Sequence, residues 1–599
     1  MKERVLAFLI SNGEENQPHK KAVAHLAKLA EEFNKSTSSI KLGDFKISLC
    51  YEGDLDKLLV KNKDSFEFCV GPYLGQYHSG YEASENNLKN IRDRFLKVKI
   101  EKEKITIIND CAGTIPVYYS TRNHISLSNI EPTVILDSAA SYSDVNPANI
   151  YGFLRYSHFI WDETFYKHIF TQEPDSLFIY NTKQSQPSKK YLKTVKSSQE
   201  RINLNDKEVA DELYELNRLL VHQALKNEEE IILPLSAGYD SRMIFAAISE
   251  LPDLKNKLKC FTYGPNGSID VESAKRLCKN YGINWNKVSI PCHFLEKKYL
   301  NQIALIFGSS FHPHGMYQLE FLDEIKSYIS DKTVITSGFM TGVPAGQHNF
   351  VLKINSANHL LTEAMNKFSQ SKCWDDNSLL NISKKFDKSM LNLAELRFKK
   401  AFERFDGEVF QKAVVFDIWT RQRNFIAYHP RTLEWKIPFL SPHMGPEYQN
   451  FFMSLSEKHL SGRYAVELMF KRHYNKAAKI ISNSNGIKPI EKSAETYFFE
   501  ISKLCEKITN KLGLSFLIPN AYRNIPISLD IPALQHSKKE GLFPIFSLNK
   551  NGQNFLSEYF SAEILNSLYQ QAENGSIKNY QRLVFIQAIA NGLFFIDKQ

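Results

Sequence analysis

The stretch Leu235-Ser236-Ala237-Gly238-Tyr239-Asp240-Ser241 gathers two serine hydroxyls, a glycine and a carboxylate in one short run. An apolar run at 231–235 leads into it, and the apolar, alanine-containing segment 243–248 follows. This spacing predicts a buried strand, a tight loop and, after Ser241, the first turns of a helix. Backbone N–H groups at a helix start lack intrahelical partners, and the aligned peptide dipoles favour negative charge there. Ser236 and Ser241 add hydroxyl donors, and Gly238 lets the main chain approach the bound group. Asp240 would repel a bare phosphate but suits a loop that also holds Mg²⁺. The chemistry expected is binding of a metal-nucleotide; no GxxxxGK[ST] pattern is present. A strand-turn-helix with a serine cap is the plain structural alternative.

The elements that must position this loop follow in the chain. An amphipathic helix at 207–227, with Val209, Leu213, Leu216, Leu219 and Leu220 at helical spacing, leads into the strand. A second strand at 258–264, a helix at 270–281 closed by Gly282 and a third strand at 287–290 read as βαβ units of a parallel sheet. Ligands are expected at the carboxyl ends of such strands, where Gly264 lies. Residues 333–344 read as another strand ending in a turn with Gly338 and Gly342. Upstream, strands at 5–10, 46–52, 105–108 and 124–129, a helix at 18–33, a helix opening at 151–154 and a turn at Pro174-Asp175 make 1–200 a strand-rich layered region. Segment 181–199 is polar and aperiodic, and the boundary is placed there. The last hundred residues, including 514–522 and a helix from Gln581, read as helical packing.

Several motifs carry a family resemblance. Ser236-Ala237-Gly238-Tyr239-Asp240-Ser241 resembles the SGGxDS pyrophosphate loop of the asparagine synthase family and its ATP-pyrophosphatase relatives. Asp110, Gly113, Pro116, Tyr118 and Tyr119 resemble the RDxxGxxPLYY segment of that family's glutaminase domain. The run 432–441, Thr-Leu-Glu-Trp-Lys-Ile-Pro-Phe-Leu-Ser, is similar to SLEARVPFLD, with Lys436 for Arg and Ser441 for Asp, and 421–426 resembles the preceding helix. Gly338 and Pro344 set 338–344 at the second signature, SGEGxDE or, in the β-lactam synthetase branch, GYGxDIP. Phe339 then stands where the family has a catalytic Glu or Tyr, and Gly342 where it has its second Mg²⁺-binding Asp.

The resemblance implies an α/β chain: an N-terminal αββα amino-terminal-nucleophile-like sandwich (1–200), a parallel-sheet α/β ATP-pyrophosphatase domain (205–490) and a helical C-terminal part (491–599). The glutaminase chemistry of that fold needs a cysteine as first residue of the mature chain. Position 2 is Lys2 and the first cysteine is Cys50, so glutamine hydrolysis is not expected and the domain reads as a retained scaffold. The implied cofactors are ATP and Mg²⁺, and the implied substrates a small-molecule or peptide carboxylate and an amine, coupled through an acyl-adenylate, with ring closure within one molecule as one form. Ser236, Gly238 and Ser241 would hold pyrophosphate, Asp240 the metal, and the backbone of Leu235 and of Phe261 to Tyr263 the adenine. Lys488 in the polar loop 480–489 is the candidate transition-state lysine, with Lys492 as rival and a solvated loop lysine as the alternative for both. Glu434 reads either as a substrate contact or as a buried charge partner for Lys436 or an upstream arginine. Phe339 and Gly342 leave open a second reading, a nucleotide-binding or inert scaffold.

Composition sets the remaining bounds. Of 599 residues, 43% are hydrophobic and 24% charged, ordinary for a globular chain, and the net charge of +9 is spread thinly. No basic stripe interleaved with aromatics argues for nucleic acid. Eight scattered cysteines without a CxxC pair read as reduced thiols of a cytosolic protein. The apolar residues 5–10 are too few for a signal peptide and 584–596 too few for a span, so no membrane association is expected; a homo-oligomer is compatible. His312 and His314 lie two apart in a loop; with no carboxylate or third histidine beside them, a turn by the substrate pocket is favoured over a metal site.

Overall fold

The computed structural model describes residues 3–72, 93–294, 296–308, 317–347, 374, 376–484, 488–492 and 557–574, with 497, 501, 582 and 586. The chain is α/β. Its first strand, Arg4–Ser11, is buried at every position, which requires cover on both faces. Leu6 and Leu9 pack under the Gln17–Glu32 helix through Ala22, Leu26 and Leu29. Val5, Phe8 and Ile10 face Phe45, Phe68 and Phe178 of neighbouring strands. The strand pairs antiparallel with Phe45–Glu52 along its length, parallel with Ser65–Val70 at Val5, and antiparallel with Ser126–Ser128 at its far end. Among the described residues, twelve strands join this way into one curled sheet.

A second, parallel sheet follows. Its five strands among the described residues run in the order Asn284–Val288, Leu258–Tyr263, Glu230–Pro234, Thr333–Thr336, Phe439–Leu440. The central strand buries Ile231, Ile232 and Leu233 completely. The helices Asp206–Leu225, Tyr239–Glu250 and Ile269–Tyr281 add Leu213, Ile244 and Leu277 to the same core. No helix among the described residues is long and apolar enough to cross a membrane.

Several local expectations are corrected. Segment 181–199 contains the strand Ser188–Tyr191, paired with Ser176–Asn181. It is an edge strand whose residues are largely exposed, so it carries no hydrophobic period to read. The helix expected to open at 151–154 starts at Pro147, capped by Asn146, whose side chain accepts from the Ala148 N–H. The third parallel strand is Asn284–Val288 rather than 287–290. The polar loop 480–489 contains a small antiparallel pairing, Ile481–Ser482 with Lys488–Pro489. His312, His314, 514–522 and nearly all of 581–599 lie outside the described residues, so the histidine turn and the terminal helix do too. The six described cysteines are free thiols. Burial pushes the Cys50 thiol up to about 12, so it is protonated and no nucleophile.

The two sheets meet along a polar seam made of the motif residues. Asp110 caps its own turn, accepting from the Ala112 and Thr114 N–H groups and the Thr114 hydroxyl at 2.9–3.2 Å. Gly113 has φ +62°, and a Cβ there would lie 2.9 Å from the Pro174 Cα. Its carbonyl accepts from Arg423, carried across by the π-helical turn Ile418–Ile426. Arg94, fully buried, donates to the Thr114 hydroxyl at 3.1 Å and to Glu434 at 2.6 Å. Beside it, Asp93 accepts the Arg94 and Ser441 N–H groups.

Burial pushes Asp93 up to about 8 against those N–H groups. A carboxyl whose folded pKa is raised contributes stability that is complete below about pH 4 and is lost as pH rises toward 8. Asp93→Asn should therefore gain stability over the wild type as pH rises from 5 to 8, by at most about 1.4 kcal/mol per pH unit, the one-proton limit. Denaturant unfolding at several pH values reads this; parallel pH profiles of the two proteins would contradict it.

Candidate functional site

The loop after the central strand is closed by a helix that begins earlier than its sequence suggests. Gly238 is the N-cap, and Tyr239, Asp240 and Ser241 form the first turn instead of preceding it. Asp240 and Ser241 are thereby placed at the positive end of the peptide dipoles.

Four successive main-chain N–H groups of the loop each donate to a side chain. Ser236 N–H reaches the Ser241 hydroxyl at 3.1 Å, and Gly238 N–H the Ser236 hydroxyl at 3.2 Å. Ala237 N–H reaches the Asp270 carboxylate at 2.7 Å, and Tyr239 N–H the Ser484 hydroxyl at 2.8 Å. The two loop serines also touch, Oγ to Oγ, at 3.1 Å. Three of the four acceptors are hydroxyls, small rotors able to turn from acceptor to donor. The fourth, Asp270, stands in the first turn of the Ile269–Tyr281 helix and is held from the far side by the Asn483 amide at 3.2 Å. Burial raises the Asp270 pKa against these donors.

Arg242, in the next turn and fully buried, donates to four carbonyls: Ala237 at 3.1 Å, Ala477 at 3.0 Å, Ile480 at 2.9 Å and Ile481 at 2.8 Å. Burial brings its pKa down to about 10. The guanidinium fastens 477–482 to the loop, which places Ser484 on the Tyr239 N–H. Lys488 faces Ser482 across the small β-pairing and is exposed, so the structure carries it to the hairpin beside the loop. Lys492 is exposed beyond it.

Asp240 meets two unexpected neighbours. Arg463, in a left-handed conformation at φ +64°, places its guanidinium 3.4 Å from the Asp240 carboxylate and 4.8 Å from the Tyr239 ring centre, and donates to the Ser484 carbonyl at 2.8 Å. From the other side come the glycines of the 338–344 turn. A Cβ on Gly338 would lie 2.5 Å from the Asp240 carbonyl carbon and 2.6 Å from the Ser241 nitrogen; one on Gly342 would lie 2.5 Å from an Asp240 carboxylate oxygen. A Cβ on Gly342 would therefore crowd the ends of the Asp240 and Gln347 side chains, which would have to turn aside to admit a larger residue. Among the described residues no group of three or more His, Cys, Asp or Glu could hold a metal. Phe339 is 8% exposed and packs edge-on against Phe439, while its carbonyl accepts from the Ser441 hydroxyl at 3.1 Å.

Other expected residues are engaged elsewhere. Leu235 N–H donates to the Phe261 carbonyl at 2.8 Å, and the Leu235 carbonyl accepts from the Thr262 hydroxyl at 2.7 Å. The Leu235 N–H is thus taken by its own sheet. The Tyr263 hydroxyl donates to Tyr317 at 3.0 Å, and Gly264 turns the chain at φ +136°. Glu434 is drawn to Arg94 at the seam, the upstream-arginine alternative, while Lys436 pairs with Asp323 at 2.6 Å. Sequence reasoning missed Arg242, Arg463, Asp270 and Ser484. The latter three reach the loop from other segments without a local signature, and Arg242 sits in plain view but looks like any helix arginine.

No family model matches the chain, and no curated protein matches it. Among solved structures it is similar to glutamine phosphoribosylpyrophosphate (PRPP) amidotransferase from B. subtilis complexed with ADP and GMP. The identity is 8%, over 55% of this chain and 81% of that one, with a TM-score of 0.22. A structure of the allosteric regulatory enzyme of purine biosynthesis is similar at 10% identity, over 59% of this chain and 93% of that one, again with a TM-score of 0.22. Likenesses this distant carry nothing about chemistry.

The crowding at Gly338 gives a direct test. Gly338→Ala should cost about 1–3 kcal/mol, because the new methyl meets main chain rather than a movable side-chain end. Denaturant unfolding measures it, and a neutral substitution would contradict the close packing of turn on loop.

Proposed function

We propose that the chain is an ATP-dependent, amide-forming ligase of the asparagine synthase type, with the 236–241 loop holding the pyrophosphate portion of the nucleotide. The observation that carries this reading is the run of four consecutive N–H donors at a helix start, each on a side-chain acceptor. Such donors, with hydroxyls that can rotate, suit a polyphosphate. Ser236, Gly238 and Ser241 would line that portion, and Arg463 and Lys488 supply positive charge as it leaves. Asp240 would hold Mg²⁺ together with the phosphates, since this cation often takes a single protein carboxylate and completes its shell with phosphate and water; the metal would offset charge on the departing group.

In this reading a substrate carboxylate oxygen bonds to the α-phosphorus as the bond to pyrophosphate breaks. An amine nitrogen then bonds to the acyl carbon as the bond to AMP breaks, and the amine loses its proton. The chain's part is positioning and charge neutralisation. Phe339 has no hydroxyl or carboxylate to relay that proton, so it must go to another base or to water.

Phe339 and the Asp240–Arg463 pair favour a second reading, a nucleotide-binding scaffold without turnover. Calorimetry with Mg²⁺ and ATP tests the shared part: Asp240→Asn should weaken metal-dependent binding at least about tenfold, or about 1.4 kcal/mol. Absence of binding in both proteins would sink the site assignment. Pyrophosphate release on addition of carboxylates and amines separates ligase from scaffold.

A further inference from the structure

At the seam between the two sheets lies a small buried cavity of about 30 Å³, lined by Arg4, Arg431 and Glu434 and otherwise mainly by apolar side chains such as Leu6, Ile115 and Trp435. It has room for about two water-sized groups, too little for an amino acid. Arg4 is 3% exposed; its Nε donates to Glu52 at 2.9 Å, but among the described residues neither Nη1 nor Nη2 has a hydrogen-bond partner. Burying two such donors unmade is unfavourable, and each orphaned group asks for an acceptor.

The charge balance runs the same way. Arg4, Arg94, Arg431 and Lys35 are gathered around the carboxylates of Glu52 and Glu434, with Lys35 on Glu52 at 2.8 Å and Arg94 on Glu434 at 2.6 Å. The Arg431 guanidinium lies over the Phe307 and Tyr428 rings at 4.7 and 5.5 Å, and its charge acts, with those of Arg94 and Arg4, on the Glu434 carboxyl. Beside Arg94, burial pushes the Asp93 carboxyl up to about 8. Among the residues lining the cavity itself, two arginines stand against one carboxylate, an excess of positive charge that is unfavourable in a mainly apolar site.

We propose that this cavity binds a small monovalent inorganic anion of chloride size, accepted by Nη1 and Nη2 of Arg4 and balanced by Arg431. The ion would join the first strand of the curled sheet to the 428–434 helical segment that carries Glu434. It is independent of the phosphate loop and of the ligase reading.

Bromide is the probe. In crystals of the full chain grown in sodium bromide, an anomalous peak should lie within hydrogen-bond distance of the Arg4 guanidinium, and its absence overturns the proposal. In solution, bromide should replace gluconate at constant ionic strength in the wild type and in Arg4→Gln. General salt effects act on both proteins alike, so the site reads as an extra rise in Tm of about 2 °C in the wild type alone. Equal responses, even with a crystal peak, would mean binding at crystal concentration only and overturn the proposal. If Arg4→Gln does not fold, Arg431→Gln replaces it in the same comparison.

Discussion

The Arg242 guanidinium is the constraint on which the candidate site depends. It is a full positive charge buried against four carbonyls, one from the loop itself and three from 477–481. Hydrogen bonds to a charged donor contribute about 1.5–3 kcal/mol each, and removing the donor would leave its acceptors unpaired out of water. Burial lowers the arginine's pKa but leaves it charged at neutral pH, so the clamp persists under ordinary conditions. Because of it, two segments far apart in sequence act as one: the 236–241 loop and the hairpin that carries Ser484 and Lys488.

Once that clamp is in place, the surroundings of Asp240 follow. A Cβ at Gly342 would crowd the ends of the Asp240 and Gln347 side chains, and the guanidinium of Arg463 stands 3.4 Å from the Asp240 carboxylate. Two neighbouring carboxylates call for a cation to offset their repulsion, whereas one carboxylate beside a guanidinium is already paired. The centre therefore differs in charge from a two-carboxylate metal site, while four successive N–H groups of the loop each donate to a side chain. Phe339 packs edge-on against Phe439 as part of the core and offers no group that could relay a proton.

What could be read from the sequence was local. The central strand, its glycine-containing turn and the following helix are encoded by apolar runs and helix formers, and Gly282 closes its helix at φ +65° as a C-terminal glycine should. The helix start was misplaced because Tyr239 and Asp240 look like loop residues until Gly238 is seen as the cap. The partners of Asp240 and Ala237 were invisible because they come from residues 463 and 270, and no period or spacing links such positions; for Glu434 an upstream arginine could be expected, but not that it is Arg94. The edge strand Ser188–Tyr191 escaped notice for a different reason: backbone pairing holds it, with little burial to mark its side chains.

The central claim is that the N–H groups of 236–239 form an anion site. Hydrogen–deuterium exchange on a peptide spanning 234–243, with and without magnesium pyrophosphate, tests it most directly. The account predicts slower exchange in that peptide when pyrophosphate is present. Binding of pyrophosphate that leaves exchange at 236–239 unchanged would place the anion elsewhere and contradict the account.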